Sequence, residues 1–290
     1  MTGIVGSSAL VTGSRTDDIS LMFDKWNESK RLVCLDNGQN LAYLDIGGEA
    51  NPLLLLHGLT DSSLSFSGIA ALLPGRRLII PDLRGHGSSA SPNVGYSLAD
   101  FAVDARLLLL KLGIGFVAVA GHSLGGMVAQ RLAGLFPEMI ERLILIGTSA
   151  SAGSTTEALI EELEALDSLD PNGEFMMRWY SNPGTVPKEF LAKLREDASA
   201  ISLGTLKQIL RELGSSQAET PLPITAPALL LWGDGDPFFD FSHQEKLLTL
   251  IPQAELIRLP GHGHNPFWES PGRVAQLISG YLDRRVSVPK

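Results

Sequence analysis

Ser123 is the middle residue of a G-x-S-x-G pentapeptide, and two pairs of residues that could assist a serine nucleophile follow it. The acids Asp234 and Asp236 lie in a Gly-Asp-Gly-Asp-Pro run, and the histidines His262 and His264 lie in Gly-His-Gly-His. A histidine can take the proton of a serine hydroxyl, while an acid fixes the tautomer of that histidine and stabilises its cation. The order serine, acid, histidine is expected when the serine lies in a strand-to-helix turn. These residues therefore predict nucleophilic catalysis by Ser123.

The residues around Ser123 supply the strand and helix that this motif requires. Val117–Ala120 is a short apolar run, and a helical pattern follows the pentapeptide until Pro137 ends it. Without that context the pentapeptide would be a weak signal, because glycine and serine are common in loops. Gly121 and Gly125 fit a close approach of strand and helix, where a Cβ would collide.

Short apolar runs separated by helical patterns predict a parallel sheet with helices on both faces. A hairpin comes first, with two strands that meet across the turn signal Asn37-Gly38. Six further runs are predicted as buried strands, at residues 53–56, 77–80, 117–120, 142–146, 228–231 and 255–259. The predicted fold class is α/β, with a mostly parallel, eight-stranded, doubly wound sheet.

Polar side chains follow the predicted strands at the points where the strands end. In open parallel sheets, ligands bind beyond the carboxyl ends of the strands. The residues that reach this edge are His57, Asp82, Ser123, Thr148, Asp236 and His264. One edge of the sheet therefore collects a serine, two acids and two histidines, and we expect the functional site there.

The alternation of strands and helices stops after residue 149 and resumes near residue 220. Leucines at helical spacing between these points predict several helices with no strand among them. We expect residues 150–219 to form a helical cap above a core made of residues 29–149 and 220–290. Residues 1–28 are predicted to be an N-terminal arm, because Gly3–Ser20 is rich in glycine, serine, threonine and aspartate.

The composition of the 290-residue chain limits its class of function. Hydrophobic residues make up 44% and charged residues 19%, which fits one large globular domain with an insertion. A net charge of −9 without a lysine or arginine cluster argues against nucleic-acid binding. We expect no metal, because no cysteine and histidine cluster has ligand spacing. We also expect no nucleotide cofactor, because no G-x-G-x-x-G opens a helix after the first strand.

The single cysteine and the absence of a targeting pattern favour a cytoplasmic location. Cys34 cannot form an intramolecular disulfide, and its apolar surroundings indicate a packing residue of the core. No apolar run is long enough to span a bilayer. The first 30 residues also lack a basic segment followed by an apolar one. We expect a monomer or homodimer with no membrane partner.

Five motifs at these positions resemble the α/β-hydrolase superfamily, in particular its compact serine hydrolases with a helical cap. They are His57-Gly58, Asp82-x-Arg84-Gly85-x-Gly87-x-Ser89, Gly121-His-Ser-Leu-Gly125, Gly233-x-x-Asp236-Pro237 and Gly261-x-Gly263-His264. The resemblance covers residues 30–149 and 220–285 and implies the α/β-hydrolase fold. The predicted cap resembles nothing that can be assigned to one activity.

The resemblance implies a role for each matching residue. Ser123 would be the nucleophile, His264 rather than His262 the general base, and Asp236 rather than Asp234 the acid. The family places this acid directly before a proline and this base at the end of G-x-G-H. The backbone N–H groups of two residues, Leu59 and Leu124, would form the oxyanion hole.

Further residues are interpreted as lining a substrate pocket: His57, His122, Met176, Trp179, Tyr180 and Trp268. Alternative interpretations stay open for most of them. His57 can organise its own loop by hydrogen bonding, and the aromatic and methionine residues can form the core of the inserted helices. Asp82, Arg84 and His86 are interpreted as residues that hold a loop together rather than as catalysts.

These observations favour a serine hydrolase that forms and hydrolyses an acyl-enzyme on a small to medium apolar carboxylic ester or lactone. One alternative is a hydrolase of carbon–carbon bonds in ring-cleavage products, for which Arg178 would bind a substrate carboxylate. A second alternative is a ligand receptor that keeps the triad and signals through its cap. The serine argues against the haloalkane and epoxide chemistry of related folds, which use an aspartate nucleophile.

Overall fold

An eight-stranded sheet is the centre of the protein. The computed structural model describes residues 15–48, 50–151, 155–181, 185–215 and 221–284. The strands are β1 (Arg31–Cys34), β2 (Asn40–Ile46), β3 (Ala50–Leu56), β4 (Arg76–Pro81), β5 (Val117–His122), β6 (Ile140–Ile146), β7 (Ala228–Gly233) and β8 (Glu255–Leu259). They pair in the order β1-β2-β4-β3-β5-β6-β7-β8. Strands β1 and β2 are antiparallel to their neighbours and the others pair in parallel, so the predicted sheet is confirmed.

Helices cover both faces of the sheet and its carboxyl edge. They are α1 (Arg15–Glu28), α2 (Ser67–Ala70), α3 (Leu98–Lys111), α4 (Leu124–Leu135), α5 (Thr155–Glu164), α6 (Glu174–Trp179), α7 (Lys188–Ala198), α8 (Leu203–Ser215), α9 (Phe241–Leu250), α10 (Pro266–Glu269) and α11 (Pro271–Leu282). Two hydrophobic clusters result, one that includes residues of α1 and α11 and one that includes residues of α3 and α4. Every residue of β5 and β7 is buried, as expected for parallel strands covered on both faces.

Local signals read from the sequence account for several element boundaries. Gly38 has a φ of +83° in the turn between β1 and β2, a conformation that glycine adopts without strain. A capping box begins α3, in which the side chains of Ser97 and Asp100 each accept a hydrogen bond from the other residue's backbone N–H. Helix α9 begins after its N-cap Asp240, whose side chain accepts a hydrogen bond from the backbone N–H of Ser242.

Two interpretations of the N-terminal region are wrong. Residues 15–28 form helix α1 instead of a loose arm, because apolar residues on one face, including Phe23 and Trp26, pack on the core. The polar composition of this segment concealed that apolar face. Cys34 is exposed rather than buried in the core, because β1 is an edge strand with most of its side chains in solvent. Residues 1–14 lie outside the described part of the chain.

Helices α5 to α8 form the insertion between β6 and β7. The described residues of this segment contain no strand, in agreement with the helical periodicity of the sequence. Helix α5 packs on α8, and α7 contacts α1. Among the helices within the described ranges, none combines the length and the apolar character needed to cross a membrane.

The first turn of α4 lies directly against the backbone of β3 and β5. A Cβ on Gly125 would lie 2.6 Å from the carbonyl oxygen of His57 and closer still to that of Leu56. A Cβ on Gly121 would lie 2.7 Å from the backbone nitrogen of Gly126. These separations are far shorter than van der Waals contact, so both positions require glycine.

We expect Gly125→Ala to lower the free energy of unfolding by about 3 kcal/mol or more, because backbone atoms would have to move apart. Gly280→Ala is the matched control, since no atom lies within 4 Å of its added Cβ on α11. The control should stabilise the protein by up to about 1 kcal/mol through its better helix propensity. Urea denaturation of both variants measures these changes. A Gly125→Ala variant as stable as the wild type would contradict the close approach.

Candidate active site

Ser123 occupies a strained turn between β5 and α4. Its backbone dihedrals are φ +51° and ψ −117°, and it is the one non-glycine residue within the described ranges with a positive φ. Such a conformation costs of order 1–3 kcal/mol and persists only when surrounding structure enforces it. The carbonyl oxygen of Ser123 accepts hydrogen bonds from the backbone of Gly126 at 2.9 Å and from Thr148 Oγ1 at 2.7 Å. The predicted strand-to-helix turn is therefore present and held from both sides.

His264 and Asp236 form a hydrogen-bonded pair. The distance between His264 Nδ1 and Asp236 Oδ2 is 2.8 Å, and the Asp236 side chain is fully buried. The other carboxylate oxygen of Asp236 accepts hydrogen bonds from the backbone N–H groups of Phe238 and Phe239. Because a carboxylate accepts at Nδ1, that nitrogen carries the proton of the neutral ring, and Nε2 is free to accept another.

Asp234 and His262, the other acid and the other histidine considered from the sequence, do not take part in this pair. Asp234 forms an ion pair with Arg258 at 2.8 Å and accepts a hydrogen bond from the backbone of Gly261. The ring nitrogens of His262 contact the carbonyl oxygen of Pro260 at 3.0 Å and Ser270 Oγ at 2.8 Å. Both side chains therefore stabilise the turns that follow β7 and β8.

Ser123 and His264 line two adjoining cavities, which we name the large cavity and the small cavity. The large cavity has a volume of about 640 Å³ and a mainly apolar wall, which includes Met127, Leu159, Leu210, Leu213, Phe238 and Phe239. The small cavity has a volume of about 30 Å³ and a more polar wall, which includes Thr60, Asp61, His122, Tyr180, Asn265 and Trp268. Leu59 and Trp179 line both. Apolar and polar spaces thus meet at the serine.

The two residues expected to form the oxyanion hole border these cavities. Leu124 is the first residue of α4 and lines the large cavity, while Leu59 lies in the loop after β3. Hydrogen bonds from the inserted helices reach this loop at Thr60. Its Oγ1 accepts from Trp179 Nε1 at 2.8 Å and lies 3.1 Å from Tyr180 Oη. The insertion therefore helps to fix the backbone of the loop beside Ser123.

Four of the six predicted pocket residues line the small cavity, namely His122, Trp179, Tyr180 and Trp268. The pocket interpretation is wrong for His57 and Met176, which lie outside both cavities. His57 Nε2 accepts a hydrogen bond from the backbone of Leu83 at 2.9 Å, and its Nδ1 contacts the carbonyl oxygen of Gly58. Met176 is fully buried in the hydrophobic core, because α6 turns it away from the site.

Asp82 and Arg84 hold loops together, as expected. Asp82 forms a buried ion pair with Lys30 at 2.8 Å, and Arg84 binds both carboxylate oxygens of Asp104. Within the described ranges, no three histidine, cysteine, aspartate or glutamate side chains form a group that could hold a metal ion.

Sequence reasoning missed Asp61 and Asn265, which both line the small cavity. Asp61 lies only two residues after Leu59, so its proximity to the predicted oxyanion loop was the available signal. Burial raises the pKa of the Asp61 carboxyl to about 7. Burial and the neighbouring His264 lower the pKa of His122 well below its ordinary value. The small cavity therefore contains a neutral imidazole and a carboxyl that is partly protonated near neutral pH.

We expect the folded protein to lose stability in acid because of His57. Burial and the neighbouring His86 lower the pKa of this residue to about 3. Below about pH 6.5 the unfolded chain binds a proton at this residue, whereas the folded chain does not until the pH approaches 3. The free energy of unfolding should therefore fall with decreasing pH by up to about 1.4 kcal/mol per unit from this group. Urea denaturation between pH 7 and pH 5 measures this slope. His57→Gln should reduce it, and equal slopes in variant and wild type would contradict the assignment.

Comparison with known proteins agrees with this geometry. The family model described as alpha/beta hydrolase fold matches residues 51–271. Lipase 3 of Moraxella sp. (strain TA144) is 31% identical over 269 residues, which cover 87% of this chain and 84% of the lipase. Lipase 1 of Psychrobacter immobilis is 29% identical over 254 residues, which cover 82% of this chain and 79% of that lipase.

A solved structure extends the likeness to the whole fold. The esterase from Exiguobacterium antarcticum superposes with a TM-score of 0.78 at 22% identity, over 87% of this chain and 99% of the esterase. At that identity the likeness concerns the fold alone. The family match, the 31% identical lipase and the observed sheet together establish that this chain belongs to the alpha/beta hydrolase fold family.

Proposed function

We propose that this hydrolase cleaves a carboxylic ester or lactone with a small to medium apolar part through a covalent acyl-enzyme. The observation that carries the proposal is the strained turn of Ser123 beside the His264–Asp236 pair, on the wall of an apolar cavity. A serine exposed in such a turn, with a histidine oriented by a buried acid, is the arrangement that activates a hydroxyl nucleophile.

In the proposed acylation step, His264 acts as the general base through its unprotonated Nε2. His264 Nε2 takes the proton of Ser123 Oγ while Oγ forms a bond to the carbonyl carbon of the ester. The carbonyl oxygen becomes an oxyanion, which the N–H groups of Leu59 and Leu124 stabilise. Asp236 stabilises the resulting imidazolium without itself becoming protonated. Collapse of the intermediate breaks the bond to the alcohol oxygen, which takes the proton from His264 and leaves.

Deacylation repeats these events with water. His264 takes a proton from a water molecule, whose oxygen attacks the acyl carbon of the acyl-enzyme. The second tetrahedral intermediate collapses with release of Ser123 Oγ, which regains its proton from His264. The products are a carboxylic acid and an alcohol, or one hydroxy acid from a lactone, and the enzyme returns to its starting state.

The large cavity supports an apolar substrate. Its volume of about 640 Å³ falls within the range of ligand pockets, and its wall is mainly apolar and includes several leucine, methionine and phenylalanine side chains. Two relatives of this chain are named as lipases, Lipase 3 and Lipase 1. Both lines of support favour an acyl or alcohol chain of several carbons.

The carbon–carbon hydrolase alternative has less support. That chemistry would use a cationic side chain to bind the substrate carboxylate, and Arg178 does line the large cavity. However, Arg178 forms an ion pair with Glu162, which lines the same cavity. Because this neighbour already balances its charge, the arginine offers little attraction for a further carboxylate.

We expect a fluorophosphonate probe to form a single covalent adduct on Ser123, because the activated hydroxyl attacks phosphorus as it would an ester carbonyl. Intact mass spectrometry of wild type and Ser123→Ala, with p-nitrophenyl esters of short and medium chain length assayed in parallel, tests the proposal. The expected result is one adduct and ester turnover in the wild type and neither in the variant. An unlabelled wild type would refute the activated serine, and labelling without turnover would favour the alternatives.

We expect Asp236→Asn to lower kcat for these esters by about 10⁴-fold, the typical loss when the acid of a triad becomes an amide. Asp234→Asn is the matched control two residues away and should leave kcat close to that of the wild type, because Asp234 bonds to Arg258 instead of His264. Steady-state kinetics gives both values, and thermal denaturation checks that each variant is folded. A larger loss in Asp234→Asn than in Asp236→Asn would reverse the assignment of the acid.

A further inference from the structure

The small cavity adjoins the nucleophile and has room for very little. Its volume of about 30 Å³ accommodates about two water molecules or a group of two non-hydrogen atoms. Ser123 and His264 both line it, so a substrate group inside it would lie directly beside the scissile bond. Asp61, His122 and Tyr180 line this cavity and not the large one, and they offer it a carboxyl, an imidazole and a phenol.

His122 presents an unsatisfied hydrogen-bond acceptor at this cavity. Its Nε2 lies 3.1 Å from the carbonyl oxygen of His264, which can only accept, so Nε2 carries the proton of the neutral ring. The other nitrogen, Nδ1, therefore has a free lone pair. It is buried and has no hydrogen-bond partner in the described part of the chain. A buried polar atom in this condition calls for a ligand or a water molecule.

Asp61, in the loop after β3, lies near this unsatisfied nitrogen of His122. Its Oδ2 lies 3.8 Å from His122 Nδ1, too far for a direct hydrogen bond, while Oδ1 accepts one from Tyr180 Oη at 3.2 Å. A single oxygen atom about 2.8 Å from both Asp61 Oδ2 and His122 Nδ1 would bridge the gap. Because burial raises the pKa of Asp61 to about 7, its carboxyl can donate to that oxygen near neutral pH.

We propose that the small cavity binds a hydroxyl group of the substrate, with Asp61 and His122 as the residues that select it. The preferred substrate is then an ester with a hydroxyl group within two carbons of the ester bond on its small side and an apolar chain on the other side. This inference rests on the proposed ester hydrolysis and adds a chemical class to it.

A hydroxyl group matches the two side chains better than other small groups do. It donates its proton to His122 Nδ1 and accepts one from the Asp61 carboxyl, so both polar atoms are satisfied. A methyl group of the same size would displace water and leave both without a partner, which disfavours it. A carboxylate has no proton to donate to His122 and would be repelled by ionised Asp61.

The test uses two pairs of esters in which a methyl group replaces the hydroxyl group at nearly the same size. Octyl glycolate and octyl propionate place the difference in the acyl half, while 2-hydroxyethyl octanoate and propyl octanoate place it in the alcohol half. A pH-stat assay gives kcat/KM for each ester. We expect the wild type to prefer the hydroxylated member of one pair by at least about tenfold. The pair concerned identifies which half of the ester enters the small cavity.

Variants of Asp61 test its role through the ratio of the two kcat/KM values within an ester pair. This ratio does not depend on the fraction of active enzyme. Asp61→Leu should reduce the preference to nearly equal rates, whereas Asp61→Asn should retain part of it, because an amide still donates a hydrogen bond to the hydroxyl oxygen. Asp240→Asn is the matched control, an exposed carboxylate outside both cavities, and should leave the ratio unchanged.

Equal kcat/KM values within both pairs would overturn the inference and would mean that the small cavity holds only solvent. An unchanged preference in Asp61→Leu would mean that Asp61 does not select the hydroxyl group, and it would overturn the inference as well. Failure to hydrolyse any of the four esters, together with an unlabelled Ser123, would instead refute the proposed function on which the inference rests.

Discussion

The position of the site depends on the contact between the first turn of α4 and the end of β3. Gly125 lies so close to the carbonyl groups of Leu56 and His57 that no side chain fits between them. This contact holds the turn that contains Ser123. It also holds the start of the loop that leads to Leu59 and Asp61. One backbone contact therefore positions both Ser123 and the loop beside it, and their relative position does not depend on flexible side chains.

The loop after β3 is held from several other directions. The buried ring of His57 accepts from the backbone of Leu83, next to β4, and Trp268 Nε1 donates to the carbonyl oxygen of Ser65 at 3.0 Å. The inserted helices add the hydrogen bond from Trp179 to Thr60. This loop near Ser123 is thus restrained by both parts of the core and by the insertion. Preorganised groups of this kind need no reorganisation when charge develops during a reaction.

Much of the fold could be predicted because its signals are local. The eight strands follow from short apolar runs, and the serine turn follows from a pentapeptide flanked by a strand and a helix. Helix α1 was missed because a polar composition outweighed the few apolar residues that make one face. Periodicity was the better guide there, since burial of a helix depends on its spacing of apolar residues more than on its average composition.

The contents of the two cavities could not be predicted in the same way. Asp61 and Tyr180 are far apart in the sequence, and only the packing of the insertion against the loop after β3 brings them together. Met176 is buried in the hydrophobic core and lines neither cavity, although it lies close to Trp179 in sequence. Which face of a short helix meets a cavity is decided by its neighbours, and no periodicity over six residues specifies it.

Helix α1 connects two parts of the molecule that the sequence separates widely. The ring of Phe23 meets that of Phe190 on α7 at 5.5 Å, and Trp26 Nε1 donates to Ser63 Oγ at 3.3 Å. Helix α1 therefore supports both the insertion and the loop near Ser123. An outward rotation of α7 as a rigid lid would uncover aromatic surface on α1. Substrate entry by rearrangement of individual side chains around the large cavity would leave these contacts of α1 intact.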